Sequence, residues 1–415
     1  MERDRAARPI RSTRSSAGSG FARTLFPDSH EGCRVTTALA LLMQGNDRLA
    51  TAAQAEMVLA DEVCLRHAGC LWHGVTILLR TGEFESVDAH LWKLESRRDD
   101  GLADLVALMR AEHAQYVGDL MGAREALERL ATTASPPTVR ELAVPCYLEV
   151  LVAANEPDIG DQVLRDHDFG RLMRRQALRP FLLAVRGYLH LAAGRADEAL
   201  KDALECSRLP VTEVAAHFTV AHRRGLLALA AAAAGRPDIA GPAAAREYEA
   251  ATAWRSHSHI AWALYVLEMV EGEGRPSDRL RDAIDLMELG RSPVGLAALC
   301  FEQGRRFLEA GQEQAGRALL LRADGAARRI GDKALSGKIE NLLCALTSPA
   351  PQASLTAQEL KIAELAQNGY TNKQIAERLV LTVRTIEFHL SNVYRKLGIS
   401  GRRALANEVL PPPQS

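Results

Sequence analysis

The sequence predicts an all-α protein, an α-solenoid of helical hairpins followed by a small four-helix module. Three observations carry that prediction. An apolar helical run, a turn residue and an Ala-rich second run recur at intervals of 33 to 41 residues. A Pro-containing stretch, TSPAPQAS, then breaks the pattern. Beyond it, about 55 residues follow a different charge balance and a tight succession of helix caps.

Composition sets the frame. The 415 residues carry 51 Lys and Arg against 52 Asp and Glu, and 47% are hydrophobic. Such a chain buries a sizeable core, which excludes wholesale disorder and collagen-like repetition. The most apolar stretch, around Leu226 to Ala234, is bounded by Arg223, Arg224 and Arg236. It falls well short of the roughly 18 apolar residues of a membrane span, so no membrane partner is expected. The seven cysteines are scattered and never spaced C-x-x-C, the usage of small buried hydrophobes in a cytoplasmic protein. Zinc and disulfide frameworks are therefore not expected.

Residues 1–30 hold an Arg-rich segment with no apolar core and read as a solvated arm, not a secretory signal. The body, 31–346, is the repeat. Its turn positions are Gly45, Gly82, Gly122, Asn155, Gly194, Gly235, Gly274 and Gly311. The mean step, 38 residues, suits two helices of about 15 residues and two short turns. Gly or Asn at each turn supplies a left-handed C-cap. Within Phe181 to Leu209 the apolar positions Leu182, Val185, Leu189, Ala196, Leu200 and Leu204 keep helical spacing. Each hairpin then has one apolar face that only a neighbour can cover, giving a stack with a curved inner surface.

The body offers little chemistry. It has no phosphate loop, no dinucleotide fingerprint, no H-E-x-x-H and no nucleophile elbow, so no catalytic residue, cofactor or metal is expected. His217 and His222 are five apart and His257 and His259 two apart, neither being the spacing that aligns two ligands on one helical face. They read as packing or surface residues. Trp72, Trp92, Trp254 and Trp262 read as helix-interface filler.

Residues 347–354 form a linker of about 25 Å reach if extended. From Ser354 to Leu410 eight Lys and Arg face five Glu, a surplus of three, so the preceding chain is at minus four. Caps set out four helices in this basic module. Thr356 with Glu359 makes a capping box, stapled by Leu355 and Leu360, and the first helix stops at Gly369. Thr371 with Gln374 repeats the box for a second helix, stapled by Tyr370 and Ile375. Thr382 caps a third, stapled by Leu381 and Ile386 and closed by Gly398. Ser400 opens a fourth, and residues 411–415 are a tail.

The third helix is amphipathic. Ile386, Leu390, Val393 and Leu397 share one stripe; Arg384, Glu387, Phe388, Ser391 and Arg395 share the opposite one, flanked by Thr385, Asn392 and Lys396. With Lys373 on the second helix, this cationic, mixed polar and aromatic face suits a helix laid in a DNA major groove.

At these residues the module resembles the LuxR-type, or GerE-type, helix-turn-helix. The resemblance rests on the opening LT, the run AQNGYTNKQIAERL, T-x-x-T-I-x-x-H-L from Thr382 to Leu390, and NVYRKLG from Asn392 to Gly398. It implies base reading by Glu387, Phe388 and Ser391. It also implies phosphate contacts from Asn372, Lys373, Thr382, Arg384, Thr385, Arg395 and Lys396. A dimerisation helix over Ser400 to Leu410 would present Leu405 and Val409. Many family members carry a basic residue where Glu387 stands; here it reads as an acceptor for a cytosine amino group or as an intrahelical partner of Arg384 or Arg395. His389 reads as a packing residue against the first helix or a phosphate donor.

The body resembles tetratricopeptide-like (TPR-like) repeats, best at Arg186 to Leu209, which implies partner or effector binding on the concave side. The whole chain is similar to the C-terminal part of large ATP-dependent LuxR regulators without their NTPase domain. The function expected is a cytoplasmic, sequence-specific transcription regulator, a homodimer on double-stranded DNA, controlled by an unknown protein or small-molecule effector on the repeats. The rival expectation is a helical-repeat interaction scaffold with a C-terminal module that does not bind DNA.

Overall fold

A computed structural model describes residues 33–97, 99–134, 136–209, 223–347, 355–379, 381–397 and 401–405, and every regular element among them is a helix. They form two compact units that part after Ile339, within the last helix of the repeat series. Residues 1–32, His217 and His222 lie outside the described residues.

The first unit pairs α1 (Val35–Gln44) with α2 (Arg48–Ala60), and, after the 3-10 turn Cys64–Arg66, α3 (Ala68–Thr81) with α4 (Phe84–Arg97). There follow α5 (Ala103–Val117) with α6 (Leu120–Thr133), then α7 (Pro137–Ala153) with α8 (Pro157–Asp166) and the short α9 (Phe169–Leu172). Next come α10 (Arg179–Ala192) with α11 (Ala196–Arg208), and α12 (Arg223–Ala233) with α13 (Pro237–Trp254). The last pairs are α14 (His257–Glu271) with α15 (Asp278–Leu289) and α16 (Pro293–Glu309) with α17 (Glu313–Ile330), followed by α18 (Lys333–Thr347). The first helix of each hairpin packs on its partner and on the first helix of the next, so α1, α3, α5, α7, α10, α12, α14 and α16 make a continuous inner row. That is a solenoid, as the repeat pattern requires.

The turns follow from backbone chemistry. Every expected turn position but Gly122 has positive φ, including Asn155 at 53°. Gly122 is instead inside α6, where its N–H donates to Oδ1 of the N-cap Asp119. The turn is made four residues earlier by Gly118, at φ 95°. A Cβ there would come within 2.5 Å of Pro293 Cγ and 2.9 Å of Ile330 Cγ2. The same Gly thus closes the third hairpin and admits the eighth, so the stack coils back on itself; Arg291 also pairs with Glu85 at 2.9 Å. This return explains why α3 is buried over its whole circumference from Gly69 to Thr81.

The second unit has four helices: α19 (Ala357–Gln367), α20 (Asn372–Leu379), α21 (Val383–Leu397) and α22 (Arg402–Leu405). Leu355, Leu360, Ile362, Ala363, Ala366, Ile375, Ala376, Ile386, Leu390 and Val393 form its core, together with Leu405. The capping box at Thr356 is made in both directions, at 2.9 and 3.2 Å. Gln374 Oε1 likewise accepts from the Thr371 N–H at 2.9 Å. Thr382 Oγ1 accepts from the Thr385 N–H at 3.2 Å. Gly369, at φ 84°, ends the first helix.

Candidate nucleic-acid interface

Helix α21 divides its side chains cleanly. Ile386, Leu390 and Val393 are 0–3% exposed in the core. On the other side Glu387, Phe388 and Ser391 are all exposed, and Phe388 keeps 66% of its surface open. A phenylalanine left in water on a helix this well packed forgoes about 1.5 kcal/mol or more of burial. Ser391 Oγ donates to the Glu387 carbonyl at 2.9 Å, which holds the hydroxyl along the helix and leaves its lone pairs outward.

The expected phosphate contacts fall into three groups. Lys373 and Thr382 are exposed and Thr385 is half-buried, the two threonine hydroxyls sharing a 2.7 Å hydrogen bond. Asn372 is committed within the fold: its Oδ1 accepts from Arg402 Nη1 at 3.1 Å. Arg384, Arg395 and Lys396 lie on α21, but their side chains are outside the described residues. His389 is half-buried, edge-on to Phe388 with ring centroids 5.9 Å apart.

Leu405 requires a correction. Expected on a dimerisation face, it is 0% exposed and belongs to the unit's own core, because α22 folds back over α19. Gln367 Nε2 fixes it there by donating to the Leu405 carbonyl at 2.8 Å. Val409 lies outside the described residues. Sequence reasoning also missed Arg402. Its guanidinium donates to the carbonyls of Ala366 and Tyr370 and to Asn372, tying the end of α19 to the start of α20. Arg378 in turn lies over the Tyr370 ring, 4.8 Å from its centroid. Such a clamp fixes the angle at which the second helix leaves the first.

This geometry, a short turn between α20 and α21 with an outward polar and aromatic stripe, coincides with a family match. Residues 353–409 match the family described as bacterial regulatory proteins, luxR family. The C-terminal unit is a LuxR-family helix-turn-helix domain. The transcriptional regulatory protein LiaR of Bacillus subtilis is 43% identical over 56 residues, covering 14% of this chain and 26% of LiaR. The oxygen regulatory protein NreC of Staphylococcus aureus is 38% identical over 60 residues, 14% of this chain and 28% of NreC. The chain thus spans about a quarter of the length of these relatives, and the likeness is confined to the LuxR-family domain. The rest resembles a different molecule. A crystal structure titled as Rap protein complexed with Competence and Sporulation Factor superposes with a TM-score of 0.54, covering 72% of this chain and 86% of that one at 11% identity. The body therefore has a TPR-like helical-repeat fold.

Ahead of the LuxR-family domain, the interior of the body carries polar groups that sequence spacing did not reveal. Arg80, Glu112 and Glu247 are 3–7% exposed. Arg80 lies 5.4 Å from the centroid of the Tyr116 ring. Glu112 Oε1 accepts from Cys146 Sγ at 3.4 Å. Among the described residues neither Glu112 Oε2 nor Glu247 Oε2 has a hydrogen-bond partner. Burial pushes the Glu112 carboxyl up to about 8 against the opposing charge of Arg80. It pushes Glu247 up to about 8 against Arg224 and the Gly225 N–H. Glu149 rises to about 7 for the same reason. Burial, reinforced by Arg80 and Arg48, lowers His259 to about 4, so its ring is neutral.

Two cavities meet at Arg80 and His259. One, of 180 Å³, is lined also by Arg224, Glu247 and Trp254. The other, of 260 Å³, is lined also by Tyr116 and Trp262. Trp254 and Trp262 are therefore cavity walls as well as packing residues, Trp72 is core at 0% exposure, and Trp92 is a surface residue at 66%. No described helix is long and apolar enough to cross a membrane.

Proposed function

We propose that this protein is a DNA-binding transcription regulator in which α21 is the recognition helix and the repeat body is the regulatory region. The observation that carries the reading is the outward triad Glu387, Phe388 and Ser391, set on a helix whose opposite stripe is sealed in the core of a LuxR-family domain. Phe388 offers an apolar edge to a thymine methyl, Glu387 an acceptor to a cytosine amino group, and Ser391 a hydroxyl to either. Lys373, Thr382 and Thr385 would meet phosphate oxygens, with Arg384, Arg395 and Lys396 supplying cations along the recognition helix. A homodimer on a pseudo-palindromic site fits a module of this size, with contacts other than Leu405 making the pair.

For the body, the supporting observation is the pair of cavities that meet at Arg80 and His259, with the buried Glu247, whose Oε2 has no hydrogen-bond partner among the described residues, in the wall of one. An effector that hydrogen-bonds to this oxygen would relieve its desolvation and favour one arrangement of the hairpins. The Rap protein with a similar fold was crystallised with a factor bound. The DNA-binding half of the reading is tested by a salt titration of binding to genomic fragments. Lys373→Ala should weaken binding to all sequences alike and flatten the log–log slope by about one unit. A slope that is near zero in the unsubstituted chain, with no preferred fragment, would leave the scaffold reading.

A further inference from the structure

Cys33, Cys64 and Cys70 come from three separate segments: the residues ahead of α1, the 3-10 turn after α2, and the first turn of α3. Their Sγ atoms all lie within 4.8 Å of one another, and those of Cys33 and Cys64 are 3.1 Å apart. The three residues are 8, 2 and 0% exposed. The three thiols meet sulfur to sulfur, Cys64 hydrogen-bonded to both Cys33 and Cys70, where cysteines used as small hydrophobes pack singly. The sulfurs rest as neutral thiols: burial, with Cys33 and Asp61 close by, pushes the Cys64 thiol up to about 12, while the Val35 N–H points at Cys33 Sγ at 3.5 Å and Cys70 sits in the first turn of α3. At a metal–sulfur distance of about 2.3 Å, sulfurs around one centre sit roughly 3.8 Å apart, so small side-chain shifts would complete the triangle.

We propose that Cys33, Cys64 and Cys70 form a three-thiol site for a thiophilic trivalent metalloid, with arsenite as its probe. Coordination number and charge select this class. Structural zinc requires four ligands, and among the described residues no His, Asp or Glu joins the three sulfurs at bonding range. Three thiolates on a divalent or monovalent ion would also leave a net negative charge in a buried place where the nearby Asp61 is itself acidic, which costs free energy. A trivalent centre leaves the complex neutral. In the reaction three S–H bonds and three As–OH bonds break, three As–S bonds form, and each thiol proton leaves with a hydroxide as water; no electrons are transferred. Binding would staple the start of α1, the 3-10 turn and α3 together.

The test uses the full chain, reduced and then desalted, titrated with arsenite. One arsenic per chain should survive gel filtration, three titratable thiols should disappear, and the melting temperature of the body should rise. C33S, C64S and C70S should each abolish retention, while C300S and C344S should retain it. Circular dichroism checks each fold; should C70S fail to fold, C33S, at the edge of the core, gives the same reading. Less than one arsenic per chain, retention unchanged by C33S, or tighter retention of Zn2+ than of arsenite would overturn the assignment. The outcome is independent of DNA binding, which arsenite-free protein reports separately.

Discussion

In the C-terminal domain the aliphatic stripe of α21 turns inward and Glu387, Phe388 and Ser391 turn outward, whereas in the repeat body Glu112, Glu247 and the Arg306–Glu268 pair at 2.5 Å turn inward. The domain is a minimal core of small and aliphatic side chains whose specific chemistry is all on its surface. The body is a long coil that closes on its own inner row and encloses charge. The difference teaches where each would meet its ligand. A duplex is too large to enter a protein and must be met by an exposed helix; a small effector gains most from groups already desolvated.

The contrast can be broken most forcefully at Ile386, which is 0% exposed. Ile386→Asp buries an unpaired carboxylate in a domain with few other core residues, at a cost of about 4 kcal/mol or more. DNA binding should vanish while calorimetry still shows the unfolding transition of the body. Loss of both transitions together would mean that the two units are not separately stable. On the outward face the effect is smaller. Phe388→Ala should leave the melting temperature of the domain unchanged, since the ring is 66% exposed, and should cost about 1–3 kcal/mol at one base position. An identical binding-site logo for both proteins would remove Phe388 from the readout.

The enclosed carboxylates of the body give a test of opposite character, visible in stability and its pH dependence. Glu112 and Glu247 have folded-state values of about 8, above the ordinary carboxylate value of 4.5. The folded state therefore binds more protons than the unfolded one at these two groups between these limits, and the stability they contribute is fully present below about pH 4.5 and is lost as pH rises through 8. Glu112→Gln and Glu247→Gln mimic the protonated form. Each should raise the melting temperature at pH 8 by a few degrees and have no such effect at pH 4.5. A uniform shift at both pH values would assign the gain to packing instead.

Much of this architecture was legible in the sequence, and the parts that were not share one cause. Caps are local: the pairs Thr356 with Glu359 and Thr371 with Gln374 and the N-cap Thr382 need only three residues of chain, and each caps its helix as the pattern predicts. The repeat turns are local too, apart from Gly122. There a helix-compatible glycine stands four residues past Gly118, which meets Pro293 and Ile330, and no local pattern discloses that contact. Leu405 looked like a surface residue because its burial depends on α22 folding over α19. Arg402 gave no signal because its acceptors are backbone carbonyls about 30 residues away. The convergence of Cys33, Cys64 and Cys70, and of Arg80 with His259, likewise depends on how hairpins stack. For the candidate interface, periodicity separated the two faces of α21; the family resemblance supplied the roles.

The central claim is that the exposed stripe of α21 reads DNA. The most direct measurement is selection of bound duplexes from a random pool by the full chain at several salt concentrations, run beside Phe388→Ala. Reading by this stripe gives enrichment of a two-fold related motif, affinity that falls steeply as salt rises, and an altered base preference in the variant. A pool that stays random, with binding insensitive to salt, would contradict it.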